Sequence, residues 1–263
     1  IFALIMKKGQ ILLITVMLLA TVMTIVLSVS FKSVTDTQVT KLEEESQKAL
    51  AAAESAIEVA LKNNSTATLG SGGSSELNSV TGFSGSATIE SLAETTFTTS
   101  IIPKDGSYTF YLGEYHLDTK AIDAPLNSQN ITVCFTGTTK PAIEITLIKT
   151  SGVKKYVVDP DHDQSGRIVN ALASSFCTPN SNYSFSTTIP SADIDANSKF
   201  LLVRVLYAST KLLFHGDSDL DLPVQGRTVS SQATSSTSTG VSKKVVLFQS
   251  YPQIPDEFFS TSF

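Results

Sequence analysis

The sequence predicts an α+β protein in which one long N-terminal helix precedes an all-β, sandwich-like antiparallel domain. The helix is predicted because Ile11 to Lys62 contains neither Gly nor Pro, the residues that most often end a helix. The β-domain is predicted because the hydrophobic period then changes to two, and short β-rich runs alternate with turn residues. Charged residues make up only 16% of the chain, with two Cys and no Trp, a composition that suits an exported β-rich protein.

The predicted helix covers residues 10–64 and has two halves of different character. Residues 11–31 form an apolar run, and about 20 such residues can span a bilayer. Lys7 and Lys8 precede this run and favour a cytoplasmic start. In the second half, apolar residues recur at three- and four-residue steps and form one stripe that needs a surface to pack against. The chain's own β-domain offers such a surface, and a dimeric coiled coil on a membrane anchor is the alternative.

The rest of the chain is predicted to be a Gly/Ser-rich linker over residues 65–86 and a β-domain over residues 87–263. Within the linker, Gly82 to Gly85 are expected to form a loop. The run Leu201–Leu206 is a strong candidate for a central strand. The predicted strands are Thr95–Ile102, Tyr108–Leu112, Ile131–Thr136, Ile143–Ile148, Tyr156–Val158, Tyr183–Ile189, Phe200–Leu206, Leu212–His215, Arg227–Gln232 and Val245–Gln249.

The two cysteines, Cys134 and Cys177, lie far apart in the β-domain. They fit a single disulfide that closes a long loop, which would stabilise an exported domain by about 2–4 kcal/mol. Two buried free thiols are the alternative, because unpaired cysteines are also common in protein cores.

Two short motifs stand near the two ends of the predicted helix. Lys7, Lys8 and the small Gly9 come just before the apolar run, and residues 51–61 read AAAESAIEVAL. Together these motifs resemble the type IV pilin and pseudopilin family. The second is similar to the Ala-Ala-Glu-x-x-x-Glu-x-Ala pattern of minor pilins of the X type and of the large tip pseudopilin. The resemblance covers residues 6–62.

The resemblance implies a processing step at the start of the helix. In the family, a prepilin peptidase cuts after such a glycine, so residues 1–9 would form the leader peptide and Gln10 the mature N-terminus. Lys7, Lys8, Gly9 and Gln10 are therefore the predicted processing residues. Met6 is a candidate for the natural start, and it would give a shorter leader that suits the family better.

The predicted mature N-terminus departs from the major subunits of the family at two positions. Major pilins usually begin with an aromatic residue and carry a glutamate as the fifth mature residue, whereas this chain has Gln10 and Ile14. A terminal ammonium in an apolar filament core is costly unless a neighbouring carboxylate pairs with it. In the family, absence of this acid is associated with the tip, which favours a minor or tip role. An ordinary subunit with different core pairing is the alternative.

Two acidic clusters alternate Asp with other residues, as calcium-binding turns do: Asp159, Asp161 and Asp163 in the first, and Asp217, Asp219 and Asp221 in the second. The first cluster is not an EF-hand, because Gln164 stands where the loop glycine belongs and Asn170 where the closing glutamate belongs. Some pseudopilins hold a loop with calcium, so a looser calcium turn remains an alternative to two solvated turns. No other cofactor is predicted.

The C-terminal tail from Tyr251 to Phe263 carries three phenylalanines in its last six residues. Such residues are unusual at a solvated chain end and need an apolar surface. We expect the tail to dock on the β-domain, and a contact with another subunit is the alternative.

The sequence points to a structural role rather than to catalysis. No Gly-x-Ser-x-Gly, His-Glu-x-x-His or phosphate-loop motif is present, so no enzyme is predicted. A net charge of −5 and a pI of about 5.2 argue against a nucleic-acid footprint over the whole chain.

The resemblance implies a structural subunit of a type IV pilus or related pseudopilus that displays its β-domain for adhesion or filament priming. The implied partners are other pilin subunits through the helix, the prepilin peptidase, the inner-membrane assembly platform and, before assembly, the membrane. The chain would be a single-pass membrane protein with an extracytoplasmic β-domain and, after processing, part of an extracellular filament. The alternative is an uncleaved, membrane-anchored β-sandwich binding module, an adhesin.

Overall fold

The computed structural model contains one long helix followed by antiparallel β-sheets, which confirms the predicted α+β class. It describes residues 8–91, 93–136, 140–160, 172–173, 177, 183–217, 220–236 and 240–255, with side chains from Leu12 onward except at 172–173. The helix α1 spans Lys8–Asn63, and a short 3-10 turn spans Ser75–Leu77. The strands are β1 (Ala67–Leu69), β2 (Phe83–Glu90), β3 (Thr96–Thr98), β4 (Ser107–Tyr111), β5 (Glu114–Tyr115), β6 (Ile122–Asp123), β7 (Ile131–Phe135), β8 (Ala142–Lys149), β9 (Gly152–Val158), β10 (Leu172–Ala173), β11 (Phe185–Ile189), β12 (Ser198–Leu206), β13 (Leu212–Gly216), β14 (Gly226–Ser235) and β15 (Ser242–Ser250).

The helix α1 ends through a left-handed residue. Asn64, directly after the helix, has φ of 48°, and Asn tolerates this conformation better than most residues. The Ser65 N–H then donates to the Ala60 carbonyl at 3.2 Å, which satisfies one of the free carbonyls of the last turn. The helix therefore stops one residue before the predicted end.

The chain divides into two compact units, and the first contains residues Ile1–Ile89 and Val229–Val246. Its sheet, which we call sheet I, has the strand order β1-β2-β14-β15. Small and apolar side chains of α1 bury one face of the helix against this sheet. The core they share consists of Ala52, Ala53, Ala56, Ile57 and Ala60 from α1, with Ala67, Leu69, Leu77, Ala87, Val229 and Ala233 opposite.

The range predicted as a flexible linker, residues 65–86, differs from the prediction. It contains β1, the 3-10 turn and the first half of β2, and β1 pairs antiparallel with β2. Of Gly82 to Gly85, expected to form a loop, only Gly82 precedes β2, and Phe83 to Gly85 are its first three residues. Gly85 has φ of +152°, and a Cβ there would lie 1.8 Å from the Gln232 carbonyl oxygen of β14. A glycine is therefore needed at this position because β2 and β14 approach each other closely, and not because the chain must be flexible here.

The second unit contains residues Glu90–Thr228 and Leu247–Phe263 and is built as a β-sandwich. Sheet II has the order β4-β12-β8-β9, and sheet III the order β10-β11-β7-β13-β3. Side chains from both sheets form one core, in which Phe110 of β4 stacks on Phe214 of β13 with ring centroids 4.1 Å apart. A small two-stranded sheet of β5 and β6 belongs to the same unit.

Each strand predicted from the sequence overlaps a strand of the structure. The expected central strand is the interior strand β12, in which Leu201 pairs with Phe110 of β4 on one side and Leu147 of β8 on the other. The prediction missed β1, β2, β5, β6 and β10. It also placed residues 87–263 in one β-domain, whereas residues 229–246 belong with the helix in the first unit.

Candidate functional site

The first half of α1 is apolar and uncovered around its whole circumference. Every residue from Leu12 to Glu44 is exposed, including Leu13 at 64% and Phe31 at 70%. By length and composition, this helix is able to cross a membrane. This agrees with the predicted membrane-spanning segment 11–31.

The three threonine hydroxyl groups of the apolar run are satisfied within the helix. Thr15 donates to the Leu12 carbonyl at 2.9 Å, and Thr21 and Thr24 make equivalent bonds one turn back at 2.8 Å. An unsatisfied hydroxyl in an apolar environment costs several kcal/mol. The segment can therefore be buried in lipid or among other helices without leaving these hydroxyl donors unpaired.

The predicted processing residues lie at the start of α1. Lys8, Gly9 and Gln10 have helical backbone, but the side chains of Lys8 and Gln10 lie outside the described part of the chain, and so does the whole of Lys7. Ile14 is exposed on the apolar half, and the first turn of the helix carries no acid. Recognition of these residues by a peptidase stays a prediction.

The disulfide between Cys134 and Cys177 is formed, which confirms that prediction. It joins two positions 43 residues apart, with the Cα atoms separated by 6.2 Å. Both cysteines are buried in a small cluster with Tyr183 and Leu213, separate from the main sandwich core. The bond therefore ties Cys177 to β7 of sheet III.

The six aspartates of the two acidic clusters form no described metal site. Asp159 is buried, Asp221 is exposed, and Asp161, Asp163 and Asp219 lie outside the described residues. Asp217 accepts hydrogen bonds from the Asn130 backbone N–H at 3.0 Å and from its side-chain Nδ2 at 3.1 Å. No group of three His, Cys, Asp or Glu residues in the described part of the chain is arranged to hold a metal. Calcium binding stays a prediction.

The described part of the C-terminal tail docks on β4. The Tyr111 hydroxyl donates to the Pro252 carbonyl at 2.6 Å, and the Thr109 N–H donates to Gln253 Oε1 at 2.7 Å. Burial, with a smaller contribution from Tyr115, raises the pKa of Tyr111 to about 12, so this hydroxyl keeps its proton. The three phenylalanines of the tail lie outside the described residues.

A cavity of about 350 Å³ in the second unit is a feature that the sequence did not reveal. Its walls come from the end of β2, from β3, from residues 222–226 with Thr228, and from Phe248 of β15. Two glutamates, Glu90 and Glu94, are among the lining residues. Residues 90–98 are more than a hundred residues from the other lining segments, and no local pattern signals that they meet.

Comparison with protein-family models, with curated proteins and with solved structures finds no match to this chain.

Proposed function

We propose that this chain is a structural subunit of a type IV pilus or related pseudopilus, and a minor or tip subunit rather than a major one. The observation that carries the proposal is the continuity of α1 from Lys8 to Asn63. One half is apolar and uncovered, and the other half packs on the chain's own sheet I. This is the arrangement expected of a subunit that is first stored in a membrane and then assembled through its helix.

The uncovered half of α1 needs an apolar environment. Burying one large aliphatic or aromatic side chain gains about 1.5–3 kcal/mol, and this half exposes many of them. Lipid supplies the cover before assembly, and the equivalent helices of neighbouring subunits supply it afterwards. The internally bonded Thr15, Thr21 and Thr24 lower the cost of both environments.

The second half of α1 joins the anchor to the β-structure without a hinge. Its alanines lie against sheet I, and the helix contains no Gly or Pro between the two halves. A movement of the apolar half along the membrane normal would therefore carry sheet I with it. A filament subunit needs such a connection to hold its β-structure on the filament, whereas a tethered adhesin does not require it.

A minor or tip position is favoured by Ile14 and Gln10. After cleavage behind Gly9, this subunit would carry Ile14 and no acid at the fifth mature position, so it could not offer a carboxylate to the N-terminal ammonium of a neighbour. At the tip, fewer neighbours need such pairing. The Cys134–Cys177 bond supports an oxidising, extracytoplasmic location for the β-structure.

The test is intact mass and N-terminal sequencing of the protein in filaments sheared from cells. We expect a chain that begins at Gln10, at low abundance relative to the shaft subunit. The variant Gly9→Val should stay in the membrane with its leader attached, because assembly would draw Lys7 and Lys8 into an apolar core at about 2.5–3.5 kcal/mol each. The matched control Leu12→Val introduces the same side chain and should assemble normally.

Two outcomes would contradict the proposal. Unchanged surface assembly of the Gly9→Val variant would show that cleavage is not needed. Absence of the parent protein from the sheared fraction, with the leader still attached in the membrane, would favour the anchored binding module.

A further inference from the structure

The cavity in the second unit combines three features that together suit one kind of ligand. It has two carboxylates, a pair of aromatic rings and the edge of a β-strand. We propose that this cavity binds an extended basic segment of another polypeptide, which pairs with β3 and places a Lys or Arg side chain between Glu90 and Glu94. The proposal goes beyond the filament function and does not depend on it.

The negative charge of the cavity favours a positively charged ligand. Among the described residues that line it, Glu90 and Glu94 are charged and no Lys, Arg or His is present. Arg227 stands in sequence between two lining residues, Gly226 and Thr228, and donates from Nε to Gln249 Oε1 at 2.8 Å. Because side chains alternate along β14, Arg227 points away from the cavity that its two neighbours line.

The two glutamates are held at fixed places in the wall. Glu90 is the last residue of β2. The Glu94 carbonyl accepts the Leu222 N–H at 2.8 Å in an antiparallel bridge, and Leu222 is itself buried. The backbone positions of both glutamates are thus fixed by hydrogen-bonded structure before a ligand binds.

The aromatic part of the cavity suits the stem of a long basic side chain. Phe97 and Phe248 have ring centroids 6.1 Å apart, and Phe248 is half exposed. Phe97 also contacts Phe110 and Phe214 of the main core, which fixes its position. The methylene groups of Lys or Arg pack on such rings, and their cationic end is attracted to the ring faces.

The strand edge gives the ligand its extended conformation. Strand β3 is the last strand of sheet III. The Thr99 N–H donates to Leu212 and the Gly216 N–H to Thr95, so the odd-numbered residues face β13. The backbone groups of Thr96 and Thr98 therefore face outward. All three residues of β3 line the cavity, so this edge is part of its wall. An incoming strand pairs with such an edge through its main chain.

The test is fluorescence anisotropy with the full chain in a non-ionic detergent. The probe is the pentapeptide Thr-Val-Lys-Val-Thr, blocked at both ends and labelled with an uncharged dye. Two altered probes separate the two recognition elements: one has Gln in place of Lys, and the other has N-methylated amides on the edge that pairs with β3. Detergent without protein corrects for insertion of the probe into micelles.

We expect saturable binding that weakens as salt is raised. The double variant Glu90→Gln/Glu94→Gln should weaken it about tenfold, and the Gln probe should bind the parent equally poorly. The control Glu114→Gln makes the same change at an exposed site outside the cavity and should leave binding unchanged. Because Glu90, Glu94 and Glu114 are all exposed, these variants should fold like the parent.

Three results would overturn the proposal. The first is the absence of saturable binding by the parent protein. The second is equal affinity of the double variant and the Glu114→Gln control. The third is equal affinity of the N-methylated and the unmodified probe, which would exclude strand pairing.

Discussion

The side-chain amide of Gln225 forms two hydrogen bonds with the backbone of Tyr111. The Tyr111 N–H donates to Gln225 Oε1 at 2.8 Å, and Gln225 Nε2 donates to the Tyr111 carbonyl at 2.9 Å. Tyr111 belongs to β4, an edge strand of sheet II. Gln225 thus forms the two hydrogen bonds that a residue of an adjacent strand would form at this edge. Gln253 makes a similar pair of contacts with Thr109. Edge strands commonly need such cover.

We expect Gln225→Leu to destabilise the second unit by about 2–4 kcal/mol. Gln225 is 3% exposed, so its loss leaves a buried N–H and a buried carbonyl of Tyr111 unsatisfied, at about 1–3 kcal/mol for each group. Gln253→Leu should cost about 1 kcal/mol, because Gln253 is exposed and water can replace it. Gln249→Leu, also exposed, is the control. Urea unfolding followed by circular dichroism measures all three, and an equal loss for Gln225→Leu and the control would contradict the prediction.

Removal of the Cys134–Cys177 bond should destabilise the second unit by about 3–4 kcal/mol. The bond closes a loop of 43 residues, and in the chain-entropy account a loop of that length gives a gain of this size. The double variant Cys134→Ala/Cys177→Ala tests this, since alanine adds no polar group to the buried cluster. Cys134→Ser/Cys177→Ser should lose more, because each buried hydroxyl then needs a partner. An unchanged unfolding midpoint for the alanine pair would contradict the prediction.

The ion pair of Asp193 should make stability depend on pH in the acid range. Burial alone would raise the pKa of Asp193, but hydrogen bonds from Lys154 at 2.5 Å and Tyr156 at 2.6 Å, with the nearby lysine charges, lower it below its usual 3.8. A lowered folded-state pKa adds stability that is present above the unfolded value and is lost as pH falls through the folded value.

We therefore expect Asp193→Asn to cost about 1 kcal/mol at neutral pH, and the difference from the parent to shrink as pH falls below 3.8 and to vanish below the folded-state pKa. The exposed Asp118→Asn is the matched control and should change the free energy of unfolding little. Unfolding at a series of pH values provides the comparison. A difference between Asp193→Asn and the parent that stays constant down to the lowest pH would contradict the prediction.

The sequence predicted the features that repeat along the chain and missed those that arise between distant segments. The apolar run and the stripe of α1 are periodic, and the strands of the sandwich alternate, so both could be read locally. The role of Gly85 could not be predicted. In the sequence, a glycine that is required by close contact with Gln232 looks the same as a glycine of a loop. The pairing of Gln225 with Tyr111 spans 114 residues and has no local signal. The cavity with Glu90 and Glu94 was missed for the same reason.

The alanine face of α1 provides the last prediction, which concerns the first unit. Ala56 is fully buried between the helix and sheet I, whereas Ala51, on the same helix, is exposed. Leu forms helices almost as well as Ala, so a difference between the two substitutions reports on packing alone. We expect Ala56→Leu to cost about 1–3 kcal/mol through overpacking, and Ala51→Leu to change stability by less than about 0.5 kcal/mol. Hydrogen exchange of the β2 amides in detergent measures the opening of this unit. Equal protection in the two variants would show that α1 does not need its small residues to lie on the sheet.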